Sequence, residues 1–97
     1  MAQIAQETTL RARIDHYLAY LTDEWAAIPD LAAEWADWED HERLDFEVEW
    51  PLREDRLRQL RQWSTKGLLT AEQQTRYAGL QGLIERYRPV LERLLTG

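Results

Sequence analysis

The stretch EWADWEDHERLDFEVEWP, residues 34–51, decides how this chain is read. It carries eight carboxylates (Glu34, Asp37, Glu39, Asp40, Glu42, Asp45, Glu47, Glu49) against one base, Arg43, with three tryptophans among them. Solvated loops rarely hold tryptophan, and a closed core does not tolerate eight carboxylates. From residue 45 onward, Phe46, Val48 and Trp50 alternate with Asp45, Glu47 and Glu49, a period of two. That period reads as a strand with one acidic and one apolar face. A lone strand leaves its backbone groups in need of partners. The segment must therefore continue as helix despite its pattern, pair with its own copy, or pair with another protein's sheet edge.

On the N-terminal side, Leu31, Trp35 and Trp38 recur at helical spacing behind Asp30, a residue suited to cap a helix start. The helix predicted there covers 30–41 and stops because Glu42 would fall in the middle of its apolar face. Further back, Leu10, Ile14, Tyr17, Leu18, Leu21, Trp25 and Ile28 share one side of a helical wheel. They predict a long amphipathic helix over 8–28, capped by Thr8 or Thr9 and stopped by Pro29.

On the C-terminal side, Pro51 suits the first turn of a helix. Leu52, Leu57, Leu60 and Trp63 continue that helix over 51–66. Gly67 is placed to take the left-handed conformation after it, with Leu68 available for an apolar contact. Thr70 and Gln73 fit a capping box for a last helix over 70–95, which Pro89 bends or shortens. The expected fold is all-α: a small bundle with a long first helix, a short second helix, an acidic strand-like or irregular segment over 42–50, and a C-terminal helical hairpin.

A chain of 97 residues is one domain's worth, 1–97. It has no cysteine, which rules out disulfides and thiolate metal sites and suits a reducing compartment. No basic head with an apolar run opens the chain, and no apolar stretch approaches a membrane span. The expected location is the cytoplasm. Net charge is −6, unevenly spread. Residues 23–50 hold eleven acids and one base, whereas residues 51–97 hold nine bases and five acids. Such asymmetry concerns partners or mutual attraction of the two parts.

Little here points to catalysis. Ser64 is the only serine, no motif surrounds it, and there is no glycine-rich phosphate loop. No enzyme activity and no cofactor are expected. On a continuous helix, Asp37, His41 and Asp45 would align at i, i+4 and i+8 as carboxylate and imidazole ligands for a divalent ion. The plainer expectation is no metal site, with His41 at the edge of a polar face. Arg53, Arg56, Arg58, Arg61 and Lys66 offer cations for phosphate contacts. Glu54 and Asp55 interrupt them, and the chain as a whole is acidic.

The acidic, tryptophan-bearing middle fits recognition of a basic protein better. Phe46, Val48 and Trp50 would be anchors, and Glu42, Asp45, Glu47 and Glu49 electrostatic guides. In organisation the chain resembles antitoxins, immunity proteins and nucleic-acid-mimicking inhibitors, small acidic proteins that cover basic sites. The alternatives are nucleic-acid binding through the arginines of 53–66 and a purely structural homo-oligomer. Uncovered apolar area makes a dimer expected in any case.

Overall fold

The computed structural model describes residues 2–96, with side chains from Thr9 onward. It is all-α: α1 (Ala2–Ala26), α2 (Ile28–Glu34), a short 3-10 turn (Trp35–Asp37), α3 (Asp40–Thr65) and α4 (Ala71–Thr96). Among the described residues there is no strand, and no helix is long and apolar enough to cross a membrane.

The first two helices form one bent rod. Ala27 N–H still reaches Asp23 O and Leu31 N–H reaches Ala27 O, so only the register around Pro29 is interrupted. Proline has no N–H to offer, and its ring displaces the preceding turn. Three expectations change here. Thr8 and Thr9 lie inside α1 rather than capping it, since the helix already begins at Ala2. Asp30 sits in the first turn of α2, whose N-cap position is Ala27. The second helix ends at Glu34, not 41: Trp38 turns extended, with φ −74° and ψ 146°, and the chain reverses.

The larger correction concerns residues 42–50. They are the N-terminal half of α3, neither strand nor irregular, and Pro51 lies inside that helix rather than at its start. Helix satisfies the backbone of this segment internally, which removes the partner problem a lone strand would have. The break in helix at Trp38–Glu39 lets α3 start with a new phase, so Glu42 no longer occupies the apolar face.

At the far end of α3, Leu68 N–H bonds Trp63 O and Gly67 N–H bonds Ser64 O, with Gly67 at φ 74°. That is the left-handed glycine cap expected from the sequence. Leu69, rather than Leu68, is the residue buried next to it. The capping box of α4 also forms: Thr70 N–H donates to Gln73 Oε1 at 2.9 Å, and Gln73 N–H to Thr70 Oγ1 at 3.1 Å.

Side-chain pairings give the helix directions. Trp50 meets Trp25, Arg53 meets Glu24, and Trp63 meets Tyr17, so α3 runs antiparallel to α1. Gln73 meets Arg11 and Asp15 while Arg88 covers Trp25, so α4 runs parallel to α1. The core draws on all four helices: Ile14, Leu18, Leu21 and Trp25; Ile28; Phe46, Trp50, Leu57 and Leu60; Tyr77, Leu80 and Leu91. α4 packs chiefly on α1 and α2. The segments 51–66 and 70–95 are thus antiparallel with the predicted turn, yet they stand apart as a pair, bridged by Glu54 and Arg88 across an open groove.

Candidate partner-binding face

The predicted anchors fall within just over one turn of α3, on opposite faces. Phe46 and Trp50, at i and i+4, point inward and are 8% and 4% exposed; Val48, half a turn away, is 68% exposed. Phe46 lies edge-on to Trp35 and Trp38, with ring centroids 5.6 and 6.2 Å apart, and Trp50 lies edge-on to Trp25 at 5.2 Å. Such edge-to-face pairs add to the area they bury. Both residues are core, and neither is free to anchor a partner. The alternating pattern misled because positions two apart lie on opposite sides of a helix, not on the same face as in a strand.

What α3 presents outward is a different set. Leu44, Val48 and Leu52, at i, i+4 and i+8, are 57%, 68% and 59% exposed. On the helical wheel they form one stripe, with Asp40, Glu47 and Pro51 on one flank and Asp45 on the other, Glu49 lying beyond Asp45. Asp45, Glu47 and Glu49 are exposed and make no ion pair among the described residues. Glu42, the fourth predicted guide, is spent locally: its carboxylate accepts the Glu39 N–H at 3.3 Å at the start of α3. Leu44 and Leu52 were legible as an i, i+4, i+8 series with Val48, a signal hidden by reading Val48 as part of a strand.

The stripe sits on a rigidly held helix. Arg43, the only base of the acidic run, donates from Nε to Trp35 O at 2.9 Å and from Nη2 to Ala36 O at 3.0 Å. Its Nη1 also bonds Asp40 at 3.1 Å. A cation on the carbonyls just past the end of α2 is favourable, and here it locks the corner that aims α3. Below the corner, Trp50 Nε1–H donates to Glu54 Oε1 at 3.1 Å, and Arg88 binds the same carboxylate at 3.0 Å while covering Trp25 at 5.0 Å.

The basic residues of α3 do not gather on one face. Arg53 points inward, its Nε 3.2 Å from Glu24 without hydrogen-bond alignment, stacked over Phe46 and Trp50. Arg56 lies over Tyr17 and Tyr20, and Arg58 pairs with Asp55 at 2.8 Å. Arg61 lines the groove toward α4, while Lys66 is exposed at the end of the helix. Spread around the circumference, and partly engaged, they offer no continuous track for phosphates.

The metal-ligand series is also broken. Asp37 belongs to the 3-10 turn, His41 and Asp45 to α3, and the reversal at Trp38–Glu39 lies between them. A different trio, Glu39, His41 and Glu42, comes within 4.8 Å, all three exposed, with His41 Nδ1 3.3 Å from Glu39. The lone serine donates its hydroxyl to Gln74 Oε1 at 3.2 Å. No protein-family model, curated protein or solved structure matches this chain.

Proposed function

We propose that the chain is a protein-binding module, without catalytic activity of its own, that docks the outer face of the N-terminal half of α3 on a partner protein. The observation that carries this reading is the exposed Leu44–Val48–Leu52 stripe bordered by unpaired carboxylates. Three large apolar groups in one row on a rigid helix fit an apolar groove, the arrangement by which amphipathic helices are recognised. Asp45, Glu47 and Glu49 select a groove with a basic rim and speed encounter with it. Nucleic-acid-binding proteins and nucleic-acid enzymes carry such basic surfaces. An antitoxin-like or inhibitor-like role, in the cytoplasm, follows from that partner class.

The test is capture from the native cell with the wild-type chain and with Leu44→Ser/Val48→Ser/Leu52→Ser, both verified as folded by circular dichroism. The reading expects one basic protein held by wild type, released by salt and lost in the triple variant. Each anchor buries enough apolar area that losing one weakens binding by about 1–2 kcal/mol, roughly tenfold. An identical set of captured proteins for both chains refutes it.

A further inference from the structure

The stripe on α3 is self-complementary under a two-fold axis, and we propose that a second copy of this chain covers it until the basic partner displaces that copy. The proposal takes its purpose from the docking reading above, but its geometry stands apart from it. Laid antiparallel on its own copy with the axis near Val48, α3 places Leu44 against Leu52 of the second copy, Val48 against its equivalent, and Leu52 against Leu44. Six exposed apolar side chains then cover one another. A second signal falls within one residue of the same register. Asp40 and Arg58 lie eighteen residues apart, about five full turns, so they share one flank of the helix with the stripe between them. Their midpoint is residue 49. The axis that matches the apolar stripe lies one residue away, so Asp40 of each copy falls two residues, about 3 Å along the helix, out of step with Arg58 of the other, an offset the long arginine side chain spans to close both ends with an opposite-charge pair.

The amount of surface is sufficient. The chain exposes 6651 Å², whereas a compact monomer of its 11.6 kDa mass exposes about 5,800 Å². The excess, roughly 800 Å², belongs to the whole drawn-out body and leaves surface to spare for a second copy. Isologous pairing of this kind is the commonest route to a closed oligomer.

The pairing is also built to be weak. Asp45, Glu47 and Glu49 of both copies come close along the rims and repel one another. Salt screens that repulsion, so the dimer tightens as ionic strength rises. Docking on a basic partner responds in the opposite sense. Because both use the same stripe, they exclude each other.

Sedimentation equilibrium on the full chain tests this, at low and at roughly 0.5 M salt, with Val48→Glu, Asp40→Arg, Arg58→Asp and the double reversal Asp40→Arg/Arg58→Asp. All five are compared by circular dichroism and urea unfolding, because Asp40 and Arg58 also pair within their own chain, with Arg43 and Asp55. The expected result is a wild-type dimer that tightens with salt. Val48→Glu and each single reversal weaken it at least tenfold, and the double reversal returns it to within about threefold of wild type. A monomer at every concentration overturns the proposal while leaving the docking reading to be judged by partner capture. A dimer indifferent to Val48→Glu, or one not rescued by the double reversal, overturns it too. Loss of the docking reading shows separately, as partner capture unaffected by the triple serine variant while the dimer persists.

Discussion

Gln73 does two tasks with one side chain. Its Oε1 accepts the Thr70 N–H at the start of α4, while its Nε2 donates to Arg11 O at 3.2 Å and to Asp15 Oδ1 at 2.9 Å on α1. It is the buried polar residue among those described, at 4% exposure, and its amide is satisfied on both ends. Gln73→Leu keeps the volume but strips the cap, removes the side-chain donor to Arg11 O and leaves Asp15 Oδ1 with Arg76 as its remaining side-chain donor. A loss of about 1–3 kcal/mol in urea unfolding is the expected outcome. Trp50 and Val48 give the sharpest residue-level contrast. Trp50→Ala empties the space between Trp25, Phe46 and Arg53 and costs about 3–5 kcal/mol. Val48→Ser touches an exposed position, so stability changes by no more than about 0.5 kcal/mol while partner binding falls. Unfolding curves of the two variants, measured side by side, separate the core face of α3 from its outer face.

At the scale of elements, α3 carries a proline in its interior. Pro51 supplies no N–H to the Glu47 carbonyl, and its ring crowds the preceding turn. Pro51→Ala should therefore stabilise the protein, by about 1–3 kcal/mol in chemical unfolding. If Pro51 instead opened a helix, as its sequence position implies, the same change would cost stability or leave it unchanged. The corner before α3 depends on Arg43. Arg43→Ala removes the donors from Trp35 O and Ala36 O and is expected to cost about 1–2 kcal/mol. Most elements were legible in the sequence because local chemistry specifies them. The stripe of α1, the Gly67 cap and the Thr70–Gln73 box all depend on residues within a few positions of one another. Residues 34–51 were not, for two physical reasons. Phe46 and Trp50 satisfy both a two-residue and a four-residue period, and only packing on Trp25, Trp35 and Trp38 chooses between them. The break at Trp38–Glu39 shifts helical phase, which no single stripe drawn through it can show. The same ambiguity displaced the candidate site: the strand reading set Phe46, Val48 and Trp50 on one face opposite Asp45, Glu47 and Glu49, whereas the helix buries Phe46 and Trp50 and leaves Val48 exposed with the acids.

As a whole, the molecule is drawn out, at 52 × 24 × 17 Å, with a radius of gyration of 15.6 Å where a compact chain of this length has about 12.5 Å. Its charge is polarised along the chain, acidic in α2 and the first half of α3 and basic beyond. Inside, that polarity is used: Arg53 meets Glu24, Arg76 meets Asp15, and Arg88 meets Glu54 across helices. Among the acids without an ion pair are Asp45, Glu47 and Glu49 beside Leu44, Val48 and Leu52, and the proposed docking rests on that surplus. The orientation of this face is open to direct measurement, because the chain lacks cysteine and single thiols can be placed at will. Cysteine substituted one position at a time from 44 to 52, in dilute protein, is timed for alkylation. The account predicts fast reaction at 44, 48 and 52 and strong protection at 46 and 50. Equal protection of 46, 48 and 50, with fast reaction at 45, 47 and 49, would restore the strand and contradict it.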